Sequence, residues 1–145
     1  MGPDKVVVRF LNSTVMKGQT NNFHPDQTTF HLVTLDGLIK KINMEEVKAI
    51  FFVHYYEGEG SRMDHYNDMI AGSGRIIKVT FIDGERIIGF VQDYSPESKG
   101  FFIVPTDPEN NNKRVFVLRS SIAGIEFREA LFDEKQFTKR DILKG

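Results

Sequence analysis

A chain of 145 residues, 40% apolar and 27% charged, has room for one ordinary domain or two very small ones. Nineteen basic against 20 acidic side chains leave a formal charge of −1, which excludes disorder as the main state and argues against a domain that lives on phosphate contacts. No apolar run reaches the roughly 18–20 residues of a membrane helix, and a cysteine-free chain has no disulfide framework or thiolate chemistry, which fits a cytoplasmic protein.

The start, Met1-Gly2-Pro3-Asp4-Lys5, leads into a run too short for a signal h-region. Val6, Val8 and Phe10 alternate with Val7 and Arg9, the period of a half-buried strand. Gly18 interrupts a second strand, where a sharp bend is expected. Phe30–Val33 and Leu38–Ile42 read as the third and fourth strands, and Val47-x-x-Ile50-x-Phe52 as one short helical turn into a fifth. Residues 54–74 are Gly-rich with a net charge of −3 and read as a linker. The same succession then returns. Ile77, Val79 and Phe81 alternate with Lys78 and Thr80, and Asp83-Gly84 signals a tight hairpin turn. Gly89, Phe101–Val104, Arg114–Leu118 and Ile122-x-x-Ile125-x-Phe127 follow in step. The tail from Arg128 carries Leu131, Phe132, Phe137, Ile142 and Leu143, with Asp133 and Thr138 as caps for a short C-terminal helix.

Sliding the sequence by 71 aligns Val8 with Val79, Phe10 with Phe81, Gly18 with Gly89, Pro25 with Pro96 and Phe30 with Phe101. Past Asp36 the offset becomes 75, pairing Ile42 with Val117, Ile50 with Ile125 and Phe52 with Phe127. The change of offset falls at Pro108–Asn112, a longer turn in the second copy. The expected organisation is a repeat over 5–53, a linker over 54–74, a second repeat over 75–127 and a tail over 128–145. Five short strands per copy without a long amphipathic helix predict an all-β chain of two tandem five-stranded SH3-like or Sm-like barrels. Units of about 50 residues bury little alone, so the copies should share a core.

The pattern Val79-Thr80-Phe81-Ile82-Asp83-Gly84, Gly89, Tyr94, Pro96, Phe101-Phe102-Ile103, Pro105, Asp107, Val115-Phe116-Val117 and Phe127 resembles a duplicated domain of unknown function from bacterial signalling proteins, of deltaproteobacterial type. That resemblance implies a bacterial cytoplasmic protein and transfers no chemistry. Gly84, Gly89, Tyr94 and Phe101 are also similar to the first Sm motif of RNA-binding barrels. The base-reading Asp and Asn of that motif are missing: Ser95 or His24 and Lys99 or Thr28 stand in their places.

Asp93-Tyr94-Ser95-Pro96-Glu97-Ser98-Lys99-Gly100 is similar to part of the cyclic-di-GMP loop of PilZ barrels, without the paired arginines that would stack on guanine. Its simpler reading is a Ser-Pro turn between strands. His24, His31, His54 and His65 lack ligand spacing, so no metal is expected. Ser13, Ser95, Ser120 and Ser121 sit in no nucleophile elbow, and Gly72-Ser73-Gly74 precedes a strand rather than opening a helix, so no catalytic residue and no cofactor is expected.

The aromatics carry the remaining information. Phe10, Phe30, Phe52, Phe81, Phe101 and Phe127 share the inward parity and read as core. Phe90, Phe102 and Phe116 have the opposite parity, giving the second copy two apolar faces. That face either packs on the first copy or binds a partner, with Phe90, Tyr94, Phe102, Phe116, Arg86 and Arg114 as candidate contacts. The expectation is a non-catalytic interaction or regulatory module with an unidentified protein partner, no nucleic acid and no membrane. An exposed strand edge is a further place for a peptide. The alternative is an Sm-like RNA binder or a PilZ-like cyclic-dinucleotide sensor using Arg75, Lys78, Arg86, Lys99, Lys113 and Arg114.

Overall fold

Ten antiparallel strands hydrogen-bond into one continuous sheet in the computed structural model, which describes residues 3–56, 75–91, 94–106 and 111–128. The strands are β1 (Asp4–Phe10), β2 (Val15–Thr20), β3 (Thr29–Thr34), β4 (Ile39–Asn43), β5 (Val47–Val53), β6 (Arg75–Phe81), β7 (Arg86–Val91), β8 (Gly100–Pro105), β9 (Asn112–Leu118) and β10 (Ile122–Arg128). Their lateral order is β10-β6-β7-β8-β9-β5-β1-β2-β3-β4. No helix of the described residues is long and apolar enough to cross a membrane.

The two halves pair alike. Val6 faces Phe52 as Ile77 faces Phe127, Gly18 faces Thr34 as Gly89 faces Pro105, and Phe30 faces Ile42 as Phe101 faces Val117. Each couple is related by the offsets of 71 and 75. The turns correspond too. Glu85 N–H donates to Asp83 Oδ1 at 3.0 Å, and Thr14 N–H donates to Asn12 Oδ1 at 2.9 Å. Gly84 has φ +93° there, and Ser13 takes the same left-handed position at φ 75° without glycine's freedom.

The expectation of two closed barrels needs correction. β5 does not close on β4 of its own half; it lies between β1 and β9, and β10 lies at the far edge. The physical reason is that Val47–Val53 is apolar on both faces and must be covered on both. Ile50 and Phe52 enter a first core with Val6, Val8, Phe30 and Leu32, whereas Ala49 and Phe51 join a second core with Ile77, Val79, Phe81 and Phe101. β9 is shared in the same way: Phe116 and Leu118 go to the first core, Val115 and Val117 to the second.

Three smaller differences follow. The turn before the fifth strand is a 3-10 turn at Met44–Glu46, ahead of Val47 rather than within Val47–Phe52, and Asn43 caps it by accepting from Glu45 N–H at 3.0 Å. Arg119–Ser121 is its counterpart before β10. Gly89 marks a close approach of the neighbouring strand, because a Cβ there would lie 2.5 Å from Val104 O and 2.5 Å from Ile103 Cγ2. Of the expected linker, residues 54 and 55 are tied to the second half: His54 N–H donates to Asn111 O at 2.9 Å and Tyr55 N–H to Asn111 Oδ1 at 3.0 Å. Residues 57–74 and the tail from 129 with its expected helix lie outside the described residues, as do Asp93 and Asp107–Asn110.

Candidate functional site

Strands β5 and β9 carry the joint between the halves. Phe102 and Phe116 from the second half interdigitate with Phe23 and Phe52 from the first, with centroids 5.2 Å apart for Phe23–Phe116, 5.6 Å for Phe23–Phe52 and 5.0 Å for Phe102–Phe116. Their near-perpendicular edge contacts suit the quadrupoles of the rings. The Arg114 guanidinium lies over Phe52 at 4.4 Å and over Phe102 at 4.3 Å.

Of the two places expected for the opposite-parity face, these contacts put Phe102 and Phe116 against the first half. Phe116 is 1% exposed and Phe90 5%, so neither can meet a partner from solution. Phe102 is half-buried against the first core. Tyr94 packs 5.1 Å from Phe101 and 5.1 Å from Phe127 in the second core. Arg114 is held by the rings, and Arg86 is half-buried at the start of β7. Phe102 and Phe116 therefore join the halves, while Phe90 is buried on β7 between Ile76 and Val104 of its own half.

A cluster of three charged residues, missed as such in the sequence, completes the joint. Lys48, 7% exposed, reaches Asp83 at 2.7 Å and also Glu85 across the halves, and its ammonium lies 4.6 Å from the Phe81 ring. Burial by itself lowers the Lys48 pKa, but the hydrogen bonds its ammonium donates to both carboxylates outweigh it and leave the pKa raised. Asp83 is held below the usual carboxylate range, chiefly by the Lys48 hydrogen bond. A lone lysine inside Val47–Val53 was the available signal, since such a lysine must find a carboxylate or stay neutral.

Arg119 orders the 94–99 turn: Nε donates to Ser98 O at 2.8 Å, one terminal nitrogen to Ser95 O at 2.7 Å and the other to the Tyr94 hydroxyl at 3.2 Å. A cleft of about 440 Å3 beside it, lined by Thr28, Met44, Glu45, Lys99 and Leu118, thus faces an arginine with three of its five N–H donors engaged in ordering the turn. The PilZ-like segment is a turn here, with Ser98 N–H donating to Ser95 O at 3.2 Å. Among the described residues, no three His, Asp or Glu side chains converge as a metal would require.

What the fold leaves open is its edges. Among the described residues β4 pairs only with β3, and β10 only with β6. Around β4 and the turn before it stand several exposed apolar side chains: Val15 is 47% exposed, Val33 41%, Leu35 64%, Leu38 53% and Ile39 70%. Val15, Met16, Leu35 and Leu38 line a groove of about 520 Å3, with Lys17 and Lys40 on its rim. Six of the eight exposed large hydrophobics of the described residues belong to this half. The second half carries Arg86, Val104, Thr106, Lys113 and Arg114 at the matching positions, so the apolar surface is particular to the first.

A family model described as a family of unknown function (DUF6982) matches residues 2–128. No curated protein and no solved structure matches this chain.

Proposed function

The chain belongs to that family of unknown function, and from this premise we propose that it is a non-catalytic protein-interaction module made of two copies of one barrel-like unit. It docks an extended segment of a protein partner along the free β4 edge. One observation carries the proposal: Ile39, 70% exposed, stands on an unpaired edge beside Val33, Leu35 and Leu38. An open ladder supplies main-chain hydrogen bonds, and the groove beside it supplies side-chain selectivity. Lys17, Lys40 and Lys41 favour a segment that is apolar with acidic residues. A bacterial, cytoplasmic setting belongs to the same proposal and rests on the resemblance and the cysteine-free composition.

The test places a photo-crosslinking amino acid at position 39 in cells, with an identical probe at exposed Glu97 as control. A discrete protein adduct from position 39 alone is expected. Equal adducts from both positions, or none, would end the proposal. A nucleic-acid partner is the competing outcome. Its binding would fall steeply from about 50 to 200 mM salt, whereas an apolar edge would barely respond.

A further inference from the structure

We propose that the segment on the β4 edge is β10 of a second copy of this chain. Copies then join head to tail in the register that β9 and β5 already use within one chain. This deepens the interaction reading above and rests on it.

By position, β4 is the counterpart of β9, and β10 the counterpart of β5. Within the chain β5 and β9 meet with Ala49 opposite Val117, Ile50 opposite Phe116, Phe51 opposite Val115 and Phe52 opposite Arg114. Covered in this way, Val47–Ile50 and Val115–Leu118 are buried. Their counterparts at the two edges are less covered: Lys40, Lys41 and Asn43 on β4 are exposed beside a buried Ile42, and Ala123 and Gly124 on β10 are exposed between half-buried Ile122 and Ile125. Among the described residues there is thus one joint of this kind and two edges that match the halves of another.

Carrying the internal register across two copies sets Ile42 opposite Gly124, Lys41 opposite Ile125, Lys40 opposite Glu126 and Ile39 opposite Phe127. Two of these pairs favour the arrangement. Lys40 and Glu126 are opposite charges in a cross-strand pair. Ile39 takes the place that Arg114 holds over Phe52, and meets Phe127 of the other copy. The lysines also oppose the wrong pairing, because two β4 edges together would bring lysines against lysines. A joint between two different edges is heterologous, so copies add in series and either close into a ring or continue. The Lys48 lock has no counterpart there: Ala123 replaces the lysine, and Asn12 and Thr14 replace Asp83 and Glu85. The joint between copies is consequently weaker than the one within a chain, and assembly depends on concentration.

Sedimentation velocity on the full chain, from about 1 µM to 1 mM, tests this. The average mass should rise with concentration in multiples of 16.6 kDa. Lys40→Glu and Glu126→Lys should each raise the concentration of half-association at least about fivefold. Mixing the two variants should restore association, because every mixed joint again sets opposite charges face to face. Glu126 also lies near Lys78 and Arg128, so melting curves at low concentration check its folding, and Ile39→Lys, on an exposed position, provides an independent block. A wild-type chain that stays monomeric, or association that ignores both reversals or is not restored by mixing, overturns the head-to-tail joint. A cross-link from position 39 to a different protein, without self-association, also overturns it while leaving the interaction reading standing. No cross-link of any kind removes both.

Discussion

Replacing Asp83 by Asn and Glu85 by Gln together would leave Lys48 buried at the joint with no carboxylate, while hardly changing shape. The Asn side-chain oxygen can still accept from Glu85's backbone N–H, as Asp83 Oδ1 does at 3.0 Å, so the hairpin turn is preserved. A charge-assisted hydrogen bond at a buried site contributes about 1.5–3 kcal/mol. Here the acceptors are 54% and 43% exposed, which draws each contribution toward about 1 kcal/mol. Two acceptors give an expected loss of about 2 kcal/mol, or about 4–8 °C in Tm for a chain of this size. The 3.8 Å contact of Arg9 with Glu85 is exposed at both ends and adds little. Urea unfolding followed by far-UV circular dichroism measures the loss. Adding Lys48→Met should recover most of it, since the stem still covers Phe81 and the stranded charge is gone.

The lock also fixes a pH dependence. Asp83 has a lowered pKa, so its contribution is present above about pH 3.8 and drains as pH falls through the lower folded value. Lys48 has a raised pKa, so its contribution is present below about pH 10.5 and is lost as pH rises through the higher folded value. Both sensitivities should shrink in the double variant. A double variant within about 0.5 kcal/mol of wild type, or one that Lys48→Met fails to rescue, would refute the assignment of Lys48 as a paired buried charge.

The remaining predictions concern packing and backbone. Gly89→Ala should cost about 3 kcal/mol or more, because its Cβ would press on Val104 O and Ile103, whereas Gly124→Ala meets nothing within 4 Å and should be neutral or stabilising by up to about 1 kcal/mol; paired urea titrations at low concentration compare them. Phe116→Ala should cost about 3–5 kcal/mol by opening a void among Phe23, Phe102 and Phe52. Ile39→Ala should change the isolated chain by less than about 0.5 kcal/mol, and a larger loss would mean that Ile39 is already covered within one chain. Ser13→Gly should stabilise by about 0.5–1 kcal/mol, since only glycine adopts φ 75° without a Cβ penalty, and an unchanged Tm would deny strain at that turn.

How far the architecture was legible depends on the range of the interaction. Alternation in Val6–Phe10 and Ile77–Phe81 marks strands and their inner faces, because a side chain's face is set by its parity alone. Phe10, Phe30, Phe52, Phe81 and Phe101 are all buried as that parity requires, and Phe127 is half-buried beneath the Arg75 guanidinium, 4.0 Å above its ring. Asp83-Gly84 specifies its own turn within four residues. The position of the 3-10 turns was less legible: Asn43 caps the first through a side-chain bond that competes with strand periodicity.

The sequence by itself thus determined the all-β character, the strands of the described residues and most of the core, all of which follow from local period and turn chemistry. Which strand lies beside β5 depends on residues more than sixty positions away, and local pattern does not encode that choice. Only the tertiary structure decided it. Placing β9 there covers a strand that is apolar on both faces, turns Phe102, Phe116 and Arg114 from surface into joint, buries Lys48 against Asp83 and Glu85, and leaves β4 and β10 as the open edges.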